Sequence, residues 1–274
     1  MGMPVKTKHR LGEEKLNNQG IKMKIIDYKN CDHIQVLLYD KNNTVVNATY
    51  NNFKKGTIKS KYAPTIFGVG YTGEKYPISY RDVNRNKSYS TIEYDTWYQM
   101  LRRCYEEKTK NKCPTYKECL ASENFHNFEF FYEWITSQEN YEKWEEAIKS
   151  GNKEKWSLDK DILYRGNKIY SEKTCCLVPQ RINVLVINQA GKPSSYNSSG
   201  FTGVSIESAE NKCYRAECMC DGKSVFLGRY NTLEEAVAVY KNHKKKVITS
   251  IAKEEFDKGN ITEKCYNSLL NWEV

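Results

Sequence analysis

The C-terminal third of the chain carries the pattern that most constrains its fold. Three segments there are rich in β-forming residues, and they lie at 200–208, 211–220 and 223–230. Asp221-Gly222 separates the second segment from the third. Because an Asp-Gly pair favours the tight turn of a hairpin, these segments are predicted to pair as antiparallel strands.

A helix is predicted directly after the third strand. Thr232 with Glu235 three residues later fits a capping box. The apolar residues that follow at helical spacing are Ala236, Tyr240, Val247 and Ile251. One apolar face indicates that the helix packs against the sheet.

This region resembles the APETALA2/ethylene-response-factor type of DNA-binding domain over about residues 199–250. The residues that carry the resemblance are Gly203-Val204, Tyr214-Arg215-Ala216, Gly222, Leu227-Gly228-Arg229-Tyr230 and Thr232 to Ala236. The resemblance implies a three-stranded sheet that lies in the major groove of DNA, a groove wide enough for a sheet or ribbon. The DNA-binding candidates are Lys212, Tyr214, Arg215, Glu217, Lys223 and Arg229.

Two features leave alternatives open for this region. Tyr214 stands where that family usually has Trp, which leaves the base preference open. Arg215 and Glu217 could instead pair with each other on a solvated face. The lysine-rich run 241–246 is either a phosphate-binding helix face or simply a solvated one.

A second region, 156–183, has the layout of a small nuclease hairpin without its histidine. It reads WSLDKDILYRGNKIYSEKTCCLVPQRIN, with acidic residues on a strand, a Gly-Asn turn and a short helix that ends at Asn183. Residues 92–187 resemble a divergent His-Asn-His homing-endonuclease module of phage and mobile-element proteins. The resemblance implies Asp159, Asp161 and Asn167 as catalytic candidates, and Asp161 and Asn183 as ligands.

Carboxylate and amide oxygens suit Mg²⁺ or Mn²⁺. Lys160 or Asp161 stands where the module has its histidine, and a carboxylate of ordinary pKa is a weak general base at neutral pH. The alternative is that Asp159 and Asp161 cap a turn or pair with Lys160, Arg165 or Lys168. His126 could supply a base, but it is expected beside an aromatic core.

Composition limits the class of partner. The net charge is +9, which favours an anionic partner such as nucleic acid. The sequence shows neither an apolar run of membrane-spanning length nor a secretory signal, so a cytoplasmic location in a host cell and no membrane partner are expected. The ten cysteines are expected to remain reduced, and their spacing is poor for zinc.

The predicted fold class is α+β with several domains. The predicted parts are a basic flexible arm (1–20), a small β-barrel-like module (21–76), a nuclease-like helical module with a ββα-like end (90–187), a linker (188–198), a sheet-plus-helix domain (199–254) and a C-terminal tail (255–274). Residues 77–90 are interpreted as a polar linker, and Ser90 with Glu93 is predicted to cap the first central helix.

Three functions fit these patterns. The first is a phage-type protein that binds double-stranded DNA through its C-terminal sheet, with an impaired nuclease-like module. The second is a metal-dependent homing-type DNA endonuclease that uses Mg²⁺ or Mn²⁺. The third is an anti-defence inhibitor whose partner is a host defence nuclease or its guide RNA.

Overall fold

The computed structural model describes residues 10–151, 155–187, 199–208 and 213–274. They form an α+β fold that divides into two compact units, the first comprising 1–114 and 123–132, and the second 115–122 and 133–274. Residues of the predicted nuclease-like module, 90–187, therefore occur in both units. The predicted linker at 188–198 lies outside the described residues.

The first unit begins with a small sheet. Its strands are β1 (Glu14–Leu16), β2 (Lys22–Asn30), β3 (His33–Leu38) and β4 (Val45–Ala48), followed by helix α1 (Tyr50–Lys55). The strands are antiparallel and lie in the order β1-β2-β3-β4. The core beneath them holds the fully buried residues Met23, Ile25, Val36, Leu38 and Phe53, together with Ile34 and Ile58.

Local signals explain this sheet. Residues on β2 and β3 alternate between core and solvent, as a sheet with one covered face requires. The turn before β4 is closed by Asp40, whose Oδ1 accepts from the backbone N–H groups of Asn42 and Thr44. β1 falls inside the predicted flexible arm, and its pairing with β2 gives residues 14–16 a fixed place.

Residues 79–90, interpreted as part of a polar linker, form a hairpin instead. Strand β5 (Ser79–Asp82) pairs antiparallel with β6 (Lys87–Ser90). Asp82 Oδ1 accepts from the backbone N–H groups of Asn84 and Arg85, and Asn86 takes a left-handed conformation with φ 49°. Asparagine is among the residues that tolerate this region best, so the turn closes without glycine.

Helices complete the first unit around an aromatic core. They are α2 (Ile92–Tyr105), α3 (Glu107–Lys112), α4 (Glu123–His126) and the start of α5 (Phe128–Thr136). Thr91 rather than Ser90 caps α2, since its side chain accepts from the backbone of Tyr94. Trp97 is fully buried and donates its indole N–H to the carbonyl of Phe125 at 2.7 Å.

The second unit contains the remaining elements. A 3-10 helix (Pro114–Tyr116) spans the point in the chain where the first unit gives way to the second. The elements that follow in the second unit are β7 (Leu120–Ala121), α6 (Tyr141–Lys149), β8 (Trp156–Asp159), β9 (Ile169–Tyr170), β10 (Cys176–Pro179), α7 (Gln180–Ile187), β11 (Val204–Ser208), β12 (Cys213–Cys220), β13 (Lys223–Tyr230), α8 (Leu233–Asp257) and α9 (Glu263–Leu270). β8 pairs antiparallel with β10, and α7 packs on both, which gives the predicted ββα-like end.

The C-terminal sheet forms as the sequence predicts. β11, β12 and β13 are antiparallel in that order, and Asp221 and Gly222 both have the positive φ of a type I′ hairpin turn. Thr232 caps α8, whose first part packs across one side of the sheet. Gly203 is required there, because a Cβ on it would lie 2.0 Å from Cε2 of Tyr240.

The predicted C-terminal tail belongs to a core. Helix α9 packs on the second part of α8, and Cys265 and Leu269 are fully buried. They join one cluster with Val178 and Ile182 from β10 and α7, and with Ile251 from α8. The ββα-like end and the long C-terminal helix therefore share a single hydrophobic core.

Candidate nucleic-acid interface

One face of the C-terminal sheet presents charged side chains away from α8. We define the charged sheet face as Glu207, Arg215, Glu217, Phe226 and Arg229. Arg215 and Arg229 are direct cross-strand partners on β12 and β13, and Glu217 pairs with Phe226 after a bulge. The opposite face carries the buried residues that α8 covers, namely Val204, Ala216 and Cys218.

Glu207 joins the two arginines. Its carboxylate accepts from Nε and Nη2 of Arg229, the latter at 2.9 Å, and lies 3.6 Å from Nη1 of Arg215. Glu217 accepts from Nε of Arg215 at 3.0 Å. The bonds from Arg229 lower the pKa of Glu207, so it stays ionised between the two cations.

An exposed aromatic ring lies between the two guanidinium groups. Phe226 is 48% exposed, and the guanidinium carbons of Arg215 and Arg229 lie 5.1 Å and 5.3 Å from its ring centroid. Both distances are within cation–π range. The face thus offers two forked hydrogen-bond donors and one flat apolar group, which are the groups that bind guanine edges and thymine methyls.

The structure brings together some of the six predicted DNA-binding residues and separates others. Arg215, Glu217 and Arg229 share the charged sheet face, and the alternative pairing of Arg215 with Glu217 is present. Tyr214 is placed differently, because alternation along β12 turns it towards the core under α8. Lys223 is exposed at the far end of the sheet, in register with Cys220. Lys212 lies outside the described residues.

Sequence reasoning missed Glu207 and Phe226. Alternation along one strand does not predict Phe226 from Arg229, because the bulge between Ala216 and Glu217 places Leu227 opposite the gap and shifts the register. Gly228, inside the third strand, is the one local signal of this bulge.

The lysine-rich run on α8 is mostly not a phosphate-binding face. Lys244 is only 4% exposed, and Lys245 donates to the carbonyls of Leu270 and Trp272 at 2.6 Å and 2.7 Å. Only Lys241 and Lys246 of the four are exposed. Lys245 therefore fixes the end of α9 to α8, and only two of the four lysines expose their charge to solvent.

The loop after β8 is held together by Asp159. Its Oδ1 accepts from the backbone N–H groups of Asp161 and Ile162, both at 2.8 Å. Burial, together with the nearby charge of Asp161, raises the pKa of Asp159 to about 6. The carboxylate is thus a turn-capping group, as the alternative interpretation of the sequence proposed.

Asp161 faces a lysine in this loop. Its Oδ2 lies 3.5 Å from Nζ of Lys160, and Lys160 also lies 5.6 Å from the ring centroid of Tyr170. The ammonium group of Lys160 lies on one side of the Asp161 carboxylate. The side chain of Asp161 is 41% exposed. A cation of the protein itself is therefore already paired with the predicted metal ligand.

The two predicted amides differ in their surroundings. Asn167 Nδ2 donates to the carbonyls of Lys160 and Ile169, both at 2.7 Å, so it braces the loop between β8 and β9. Asn183 lies on α7, and its Oδ1 is buried without a hydrogen-bond partner. An unsatisfied buried amide oxygen is uncommon and is the one feature here that would accept a ligand.

These donors do not fit a divalent cation. Asp159 and Asn167 are engaged with backbone groups, and Asp161 is paired with Lys160. Across the described ranges, no group of three His, Cys, Asp or Glu side chains is arranged to hold a metal ion. A lone amide oxygen is too small a ligand set for Mg²⁺ or Mn²⁺.

The remaining candidates have structural partners. His126 Nε2 is 3.0 Å from the hydroxyl of Tyr105, and the rings meet edge to face, beside the aromatic core of the first unit as expected. All ten cysteines lie in the described part of the chain and are free thiols. Burial raises the pKa of the thiols of Cys175 and Cys218, which makes them unreactive.

Comparison of the chain with protein-family models, with curated proteins and with solved structures finds no match. A search of the described residues finds no helix of the length and apolar character needed to cross a bilayer.

Proposed function

We propose that this protein binds double-stranded DNA and reads the major groove with the charged sheet face. The observation that carries the proposal is the direct cross-strand pairing of Arg215 with Arg229. Like charges directly opposite each other destabilise a sheet, and here the pair depends on Glu207 to offset the repulsion. Folding does not favour two arginines opposite each other at an exposed face, because the pair lowers stability. Binding of a ligand by the two arginines explains the arrangement better.

The chemistry of the face supports DNA as this ligand. A guanidinium group can donate two hydrogen bonds to the O6 and N7 atoms of guanine, and two of them here are preoriented by glutamates and by Phe226. α8 covers the other side of the sheet and leaves this side open. The overall charge of +9 adds a sequence-independent attraction to phosphate.

Cleavage of the bound DNA is not part of the proposal. Asp159, Asp161 and Asn167 are occupied as turn cap, ion-pair partner and loop brace. No step of a metal-dependent hydrolysis can be assigned to groups arranged in this way.

The test is selection of bound duplexes from a random-sequence pool, followed by affinity measurements on the selected site. Arg215→Gln and Arg229→Gln should each reduce discrimination against non-specific duplex by about 10- to 100-fold. Lys246→Gln, an equal charge change on the exposed side of α8, should leave discrimination unchanged.

Two results would overturn the proposal. One is the absence of any preferred sequence in the wild-type protein, and the other is unchanged discrimination in both arginine variants. The same duplexes incubated with Mg²⁺ or Mn²⁺ test the nuclease function separately, since metal-dependent cutting that Asp161→Ala abolishes would assign the chain to that class.

A further inference from the structure

The β5–β6 hairpin of the first unit is an exposed ribbon whose side chains have no evident role in the core. Its two strands form a sheet of their own. The base is anchored where Thr91, the cap of α2, donates its backbone N–H to the carbonyl of Ile78 at 3.1 Å. Val83 at the tip is 84% exposed.

Two tyrosines form the centre of the ribbon. Tyr80 and Tyr89 are cross-strand partners, and their rings stack at 5.9 Å between centroids. The pair stabilises the hairpin by a cross-strand contact. The outer surface of Tyr80 nevertheless stays 57% exposed, so a flat aromatic surface is presented to solvent.

Three basic side chains lie on the same hairpin: Lys87 shares the face of the aromatic pair, Arg81 is on the opposite face, and Arg85 is in the turn. Arg81, Arg85 and Lys87 lie within twelve residues that contain a single acidic residue, Asp82. Asp82 is used to cap the turn, and its Oδ2 lies 3.8 Å from Arg85. Within the described residues Arg81 and Lys87 make no ion pair, and Arg81 donates only to the amide oxygen of Asn86.

We propose that the β5–β6 hairpin is a second DNA-contacting element, in which Arg81, Arg85 and Lys87 bind phosphates of a duplex and Tyr80 packs against a sugar or base edge. The ligand is duplex DNA because an exposed two-stranded ribbon has the width of a major groove, and because its excess charge is positive. An exposed aromatic ring can make apolar contact with a thymine methyl in that groove. This inference rests on the proposed function for its ligand but on different residues, in the other unit of the chain.

The experiment measures the dissociation constant of the full chain for a random-sequence duplex as a function of salt. The variant Arg81→Gln/Arg85→Gln/Lys87→Gln keeps both tyrosines. The plot of log association constant against log salt concentration should become shallower, by about 0.9 in slope for each phosphate that the hairpin no longer binds. The matched control is Lys54→Gln/Lys55→Gln/Lys59→Gln, which removes the same charge from exposed lysines at and after the end of α1 and should change the slope little.

A second variant tests the aromatic surface without changing charge. Tyr80→Ser/Tyr89→Ser should weaken binding by about fivefold at constant salt slope. An unchanged slope in the first variant together with unchanged affinity in the second would overturn the inference. So would equal slope changes in the hairpin and control variants, because these would reflect net charge alone.

Measuring Arg215→Gln/Arg229→Gln in the same assay separates this inference from the proposed function. Loss of sequence preference in that variant, with no effect of the hairpin variants, would retain the sheet and reject the hairpin. The reverse pattern would retain the hairpin and reject the sheet. Binding to anionic phosphatidylglycerol vesicles that depends on the hairpin, with duplex binding unaffected, would assign the hairpin to a membrane surface and reject the inference.

Discussion

Arg181 on α7 forms a two-pronged ion pair with Asp221 in the turn between β12 and β13. Nε and Nη2 of the arginine lie 2.7 Å and 2.8 Å from the two carboxylate oxygens. The same guanidinium contacts Glu254 and Glu255 of α8, each at 2.9 Å. One side chain thus ties the ββα-like end to both the turn of the C-terminal sheet and its long helix.

Replacing Arg181 should destabilise this unit strongly. Glu255 is fully buried, and its other cation, Lys258, is 3.3 Å away and half exposed. Arg181→Ala would leave the buried carboxylate without its main partner, a loss that typically costs about 3 kcal/mol. Urea unfolding measures the change in the free energy of unfolding. The control is Arg102→Ala, which breaks an exposed ion pair with Glu106 and should cost only about 0.5 kcal/mol. Equal costs in the two variants would show that the Arg181 network is not a structural tie.

Glu207 should act as an internal competitor of DNA. Its carboxylate holds Arg229 and approaches Arg215, so Glu207→Gln removes the ion pair of Arg229, leaves Arg215 with Glu217 alone and removes a negative charge from the charged sheet face. We expect non-specific duplex affinity to rise by roughly three- to tenfold and sequence discrimination to fall. Glu234→Gln, at the exposed start of α8, is the equal charge change away from the face. Weaker binding by Glu207→Gln would contradict this role.

Asp159 should make stability depend on pH in the acid range. Its folded pKa of about 6 lies above the ordinary value of 3.8, so the folded state holds more protons than the unfolded state between these values. Stability is therefore lost as pH rises through about 6, by roughly 1–3 kcal/mol. Asp159→Asn keeps an oxygen for the two backbone N–H groups and should remove this dependence, with equal or greater stability at about pH 8.

Asp159→Ala is the contrasting change. It removes the acceptor of both N–H groups and should cost about 2 kcal/mol at about pH 8. The cost should be larger at acid pH, by roughly 1–3 kcal/mol, because the variant also lacks the group whose protonation stabilises the wild-type fold there. Urea unfolding of the three proteins at several pH values checks both expectations. A steep acid dependence that persists in Asp159→Asn would place the titrating group elsewhere.

Lys244 should be a destabilising residue. It is 4% exposed, lines a cavity of about 510 Å³ beside Arg181 and makes no ion pair among the described residues. Burial lowers the pKa of its ammonium group, so the wild-type fold should gain stability as pH rises towards 10.5, where the unfolded lysine also loses its proton. Lys244→Met should stabilise the protein by about 1 kcal/mol at neutral pH and flatten that dependence.

Lys246→Met is the control for this change, since Lys246 is exposed on the same helix and its loss should alter stability by less than about 0.5 kcal/mol. Thermal or urea unfolding gives both values. Marked destabilisation by Lys244→Met would show that the ammonium group has a binding partner in solution.

Much of the C-terminal domain was predictable because its signals are local. The Asp221-Gly222 turn and the Thr232 cap each depend on residues a few positions apart, and both occur as predicted. The α+β fold class followed from the same kind of pattern. The hairpin at 79–90 was missed because its turn uses Asn86 in a left-handed conformation rather than glycine, which leaves no strong turn signal.

The candidate site was predicted only in part. Arg215, Glu217 and Arg229 share one face, whereas Tyr214 faces the core, because the face that a strand buries is decided by what packs on it. The loop residues Asp159 and Asn167 were found by position, but their hydrogen bonds to backbone groups follow from the path of the loop.

The sequence by itself determined the order of the three C-terminal strands and of the helix that follows them, since alternation, turn and cap are properties of neighbouring residues. Only the tertiary structure decided which charges are buried, which are paired and which face solvent. Lys244 and Lys246 belong to one charged run, yet one is buried and the other exposed. The physical reason is that burial and ion pairing depend on elements distant in sequence, such as α9 beneath α8 and Glu207 beside Arg229.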